Sequence, residues 1–137
     1  MEPSLHAPSI LGTVPDIGLV CTDLQVLHYY EAGKIRDLAN VTYLRLGSAW
    51  FRLYFEAAAV FWDQCQPPQA PVNSGMESGL LLNDLSEELR VVGHSFVGAE
   101  YRLLDGCTTV TLRWSNGSVV TLEHSHARDS TTIRVES

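Results

Sequence analysis

Residues 50–63 read WFRLYFEAAAVFWD, and the period assigned to them decides the fold. Read with period two, the stretch is a hairpin turning at Ala57-Ala58, with Phe51, Leu53, Phe55, Val60 and Trp62 on one face. Trp50, Arg52, Tyr54, Phe61 and Asp63 then share the other face, with Arg52 opposite Asp63. Read with the helical period, the same stretch is a helix capped by Ser48. Arg52, Glu56 and Asp63 then form a narrow polar stripe, and the alanines lend support. Two alanines suit a tight primed turn poorly, because such turns favour residues that tolerate positive φ. The aromatic, β-forming content pulls the other way. So does a second stretch, 110–122, VTLRWSNGSVVTL. Laid over 51–63 without a gap, it puts Phe51 on Val110, Leu53 on Leu112, Phe55 on Trp114 and Val60 on Val119. The hairpin is the preferred reading.

In the second stretch, two alternating β-rich arms, 108–115 and 118–124, flank Asn116-Gly117. A two-residue turn there sets Trp114 opposite Val119, Arg113 opposite Val120 and Leu112 opposite Thr121. Further strands are expected at 41–46, 91–97, 100–104 and 131–136, the last pairing onto the second hairpin. Upstream of each hairpin lies an Asp-Leu pair, in TDL at 22–24 and NDL at 83–85, followed by Gly33 and Gly93 respectively. Leu24, Leu27 and Tyr30 behind a Thr22 or Asp23 cap, with Gly33 as terminator, predict a short helix at 23–32. LLLNDLSEEL, at 80–89, predicts a second helix capped by Asn83 or Asp84, with Glu87 near its positive end.

The expected fold is therefore α+β, mainly antiparallel sheet with two short helices, built as a duplicated helix–strand–hairpin unit. At 137 residues the chain fits one domain. An N-terminal arm spans 1–16, a first unit 17–65, a Pro/Gly-rich linker 66–79 and a second unit 80–137.

Sixteen acidic residues against nine basic give a net charge of −7, which argues against nucleic acid and against anionic membrane surfaces. No apolar run is long enough to span a bilayer, and the N-terminus does not read as a secretory signal, so a cytoplasmic location is expected. Cys21, Cys65 and Cys107 have spacings that suit neither a disulfide framework nor a zinc knuckle, and they are read as reduced. His124-Ser-His126 projects two imidazoles to one side of a strand, with Asp129 nearby, which is how many metal sites begin. Two histidines at a strand end are more simply surface residues, so no metal ligand is assigned. No nucleophile motif, paired-carboxylate signature or phosphate loop is present, and neither a cofactor nor catalysis is expected.

The remaining signal is the aromatic cluster. One face of the 50–63 hairpin must be core. The other, carrying Trp50, Arg52, Tyr54 and Phe61, has the composition of a protein-binding hot spot. The expectation is a small, acidic, bacterial protein-interaction module that binds a protein partner or itself. It matches toxin-neutralising immunity proteins in size and charge only. The alternative is a small-molecule or metal-binding domain, enzymatic or not, with a site between the two units lined by His124, His126, Arg113 and Tyr54.

Overall fold

A computed structural model describes residues 8–32, 34–56, 58–69, 78–86 and 90–136. Ten strands run in order: β1 (Ser9–Gly12), β2 (Cys21–Glu31), β3 (Lys34–Leu46), β4 (Ala49–Glu56), β5 (Ala59–Cys65), β6 (Ser78–Asp84), β7 (Phe96–Leu104), β8 (Cys107–Trp114), β9 (Val119–Ser125) and β10 (Ser130–Glu136). They form a six-stranded sheet, ordered β1-β5-β4-β3-β2-β6, and a four-stranded sheet, ordered β10-β9-β8-β7. Every pairing is antiparallel except that of β1 with β5. Each half of the chain thus supplies one meander, and the inner faces of the two sheets share a single buried cluster.

The α+β expectation is overturned, because the described residues contain no helix. The segment predicted as a helix at 23–32 is the centre of β2. Its Leu24, Val26 and His28 alternate inward, while Gln25, Leu27 and Tyr29 point away from the core. Neighbours on both sides, β3 and β6, complete its hydrogen bonds, a tertiary fact that local spacing does not carry. The second expected helix falls largely on β6. There Asp84 ends a strand, and its carboxylate accepts the Ser86 N–H at 2.9 Å in a local turn. Glu87 and Glu88 lie outside the described residues. The duplicated helix–strand–hairpin unit goes with the helices, and β6 joins the first half's sheet rather than its own. Gly33 also lies outside the described residues, as does the centre of the expected linker. The strand expected at 91–97 is mostly loop, anchored by fully buried Val91, with Ser95 bridged to Val20; pairing with β8 begins at Phe96 and takes in the expected 100–104 segment as β7.

Residues 50–63 do form a hairpin, β4–β5, with Arg52 opposite Asp63. Phe51, Leu53, Phe55, Val60 and Trp62 all face the core. The β8–β9 hairpin also forms, but one residue out of the expected register, with Arg113 opposite Val119 and Leu112 opposite Val120. Gly117 donates to the Trp114 carbonyl at 3.0 Å, and Trp114 donates to that of Ser118 at 3.1 Å. Gly117 has φ of 88°. Those are the marks of a three-residue loop whose glycine occupies the left-handed position, one residue longer than the primed turn inferred from Asn-Gly. The strand expected at 131–136 is β10, paired to β9.

Trp62 is the keystone of the interior. It is fully buried, and its indole N–H donates to the Tyr101 hydroxyl at 2.8 Å, joining the inner faces of the two sheets. Its backbone carbonyl lies against Gly12 (φ +93°), where a Cβ would fall 1.7 Å from the oxygen. Gly12→Ala should therefore unseat β1 from β5 while leaving the rest folded, because β1 is exposed along its whole length. Loss of amide protection confined to residues 9–12 would show this.

Candidate functional site

The outer face of the β4–β5 hairpin gathers the four residues singled out from the sequence. Trp50, Arg52 and Tyr54 occupy successive outward positions on β4, and Phe61 on β5 lies opposite Tyr54. The Tyr54 and Phe61 rings stack, with centroids 5.0 Å apart and planes 7° from parallel. The Arg52 guanidinium sits 5.5 Å from the Tyr54 centroid and pairs with the Asp63 carboxylate at 3.2 Å. The Tyr54 hydroxyl donates to the same carboxylate at 3.2 Å. Partial desolvation, then the Asp63 charge, hold the Tyr54 hydroxyl above its usual pKa, so it stays a neutral donor. The row is pre-ordered. Arg52, Tyr54 and Phe61 are each held by a neighbour, so a partner docking there loses less rotamer freedom than on an unbraced surface.

The residues proposed to line a crevice do not converge. Arg113 lies on the outer face of the four-stranded sheet, in a bidentate pair with Glu100 at 2.9 and 3.3 Å, and Tyr54 lies on the opposite side of the sandwich. His124 is inside, only 3% exposed, stacked on Phe55 at 5.1 Å. Its Nδ1 lies 2.9 Å from the Thr131 hydroxyl, and Nε2 of His126 lies 2.7 Å from that of Thr108. Among the described residues no group of three His, Cys, Asp or Glu side chains is placed to hold a metal ion. All three cysteines are free. Burial pushes the Cys21 thiol up to about 12 and raises that of Cys65, the reverse of what a reactive thiol requires.

Two features were missed in the sequence. The outer face of the four-stranded sheet is a shallow concavity of about 850 Å³, with Thr109, Thr111 and Thr121 among its lining residues. Alternating threonines across neighbouring strands are its only sequence signal. The second feature is a polar end to the otherwise apolar interior. Asp37, 5% exposed on β3, accepts the Thr131 N–H of β10 at 2.8 Å and the Ala39 N–H at 3.3 Å. Near it lie His124 and His28, the latter 8% exposed, with neither ring nitrogen partnered among the described residues.

Fold and surface together define a two-sheet, mainly antiparallel β-sandwich with one aromatic, arginine-bearing outer face. No protein-family model matches the chain, and no match was found among curated proteins or solved structures.

Proposed function

We propose that this chain is a small non-catalytic interaction module that docks a basic protein partner on the outer face of its six-stranded sheet. The contrast between its two outer faces carries this reading. On the four-stranded sheet Glu100, Glu123 and Glu136 are balanced by Arg102, Arg113 and Arg134, and ion pairs join Arg113 to Glu100 and Arg134 to both Glu123 and Glu136. On the six-stranded sheet, strand alternation turns Asp23, Glu31, Glu56, Asp63 and Asp84 outward against Lys34, Arg36, Arg45 and Arg52, a surplus of one carboxylate. The aromatic row sits within that carboxylate surplus. Aromatics with arginine supply anchoring energy, and the surplus charge steers a cationic partner inward. A basic toxin met by its neutralising protein is one pairing of this chemistry. A cytoplasmic setting, consistent with three free cysteines, belongs to the same proposal. No helix among the described residues is long and apolar enough to cross a membrane.

Affinity capture with the wild-type chain, Tyr54→Asp and Arg113→Ala tests the proposal. Wild type and Arg113→Ala should retain the same basic protein, released as salt is raised. Tyr54→Asp should weaken that capture about tenfold or more, the loss expected for a hot-spot residue. Equal capture by all three, or loss with Arg113→Ala alone, contradicts the assignment of the face. A dimeric wild type made monomeric by Tyr54→Asp would instead make it a seam between two copies.

A further inference from the structure

The polar end of the sandwich joins β10 to β3 through one buried carboxylate, and two imidazoles lie beside that junction. In its neutral form His28 already leaves a ring N–H without an acceptor among the described residues. A second N–H and a full positive charge would be still more costly there. His124 Nε2 lies 3.5 Å from an Asp129 carboxylate oxygen, but that carboxylate is 86% exposed and well screened by solvent.

We infer that this end is an acid-released latch. Neutral His28 and His124 let β10 and the β9–β10 turn close over β3, and a proton gained by either loosens that junction while the apolar end stays packed. The groups facing the two rings are Asp37 from β3, and Asp129 and His126 from the β9–β10 turn. Around them stand Phe55 from β4, Thr108 from β8, Thr131 from β10 and Tyr30 at the next inward position on β2. The backbone position paired with His28 on β6 is Leu81.

Desolvation holds both imidazoles below their ordinary value of 6.5. Asp37 opposes this for His28, and Asp129 and Asp37 oppose it for His124, without reversing it. A depressed histidine binds its proton more weakly folded than unfolded. The stability it contributes is therefore complete above pH 6.5 and drains away as the pH falls toward the folded value. Asp37 works in the opposite sense, since burial holds its carboxyl above 3.8.

Thermal midpoints at about pH 7.5 and about pH 5 lie on either side of the ordinary histidine value. Between them the wild-type midpoint should fall by roughly 5 °C or more. His28→Leu/His124→Gln should lose most of that fall, and His94→Gln should keep it. His28→Leu alone should raise the midpoint at the higher pH, since it removes an unmet N–H. At the lower pH, wild-type amide exchange should quicken first in β10 and later in β4. An unchanged wild-type midpoint, a double variant falling as far as wild type, or exchange that starts in β4 overturns the latch. If the double variant does not fold, imidazole titration of wild type by NMR decides. Both rings should titrate below 6.5, and a value at or above it refutes the inference.

Discussion

Trp62→Ala should cost about 3–5 kcal/mol, enough to leave a domain of this size barely folded. Trp62 is the largest side chain with no exposed surface, and it fills the space between the meanders where Leu53, Phe51 and Val60 share its sheet. Truncation removes the indole's transfer energy and leaves a cavity that the paired strands resist collapsing. It also orphans the Tyr101 hydroxyl, which accepts the indole N–H at 2.8 Å. Trp62→Phe retains most of the volume and loses the donor, so it should lose about 1–2 kcal/mol. Urea midpoints for the three chains give the ranking directly. A Trp62→Ala chain as stable as wild type would mean the two sheets do not pack on this ring.

Asp37→Ala should be the most damaging polar substitution, at about 3 kcal/mol for two buried N–H groups stripped of a charged acceptor. The partners are the Thr131 and Ala39 N–H groups, at 2.8 and 3.3 Å from one carboxylate oxygen. Neither β10 nor β3 supplies a replacement. Asp37→Asn keeps an oxygen in that place and gives up only the charge, so it should recover about half of the loss. The comparison separates hydrogen bonding from ionisation. If alanine and asparagine behave alike, the charge rather than the acceptor geometry ties the strands.

How far the fold was legible depended on where the deciding information lay. In 50–63 it was local. Alternation sorted Phe51, Leu53, Phe55, Val60 and Trp62 to the core and Trp50, Arg52, Tyr54 and Phe61 to the surface, and the Arg52–Asp63 pair followed from that register. In 23–32 it was not. Leu24 and Leu27 satisfy a helical stripe, while Leu24, Val26 and His28 satisfy a strand, and the choice falls to β6 arriving on the far side of β2. Asn116-Gly117 marked a turn correctly but left its length open. Glycine after asparagine serves both a two-residue primed turn and the left-handed end of a three-residue loop, and the wrong choice moved the pairing by one residue.

The candidate site divides in the same way. The aromatic row was visible because its members sit within thirteen residues and two periods. The polar junction was not, because Asp37 and Thr131 are 94 residues apart and meet only through the stacking of one sheet on the other. His28 falls within 23–32, the segment whose spacing predicts a helix. As a strand residue it is an inward one.

The proposed docking of a basic partner on the outer face of β4–β5 is directly observable through the three tryptophans. Trp62 and Trp114 are buried, at 0% and 3% exposure, while Trp50 stands half-exposed on the proposed surface. Indole N–H signals recorded by NMR as the captured partner is titrated in should show the Trp50 resonance moving and the other two holding still. A Trp50 signal that stays fixed while the complex forms would place the partner elsewhere on the molecule.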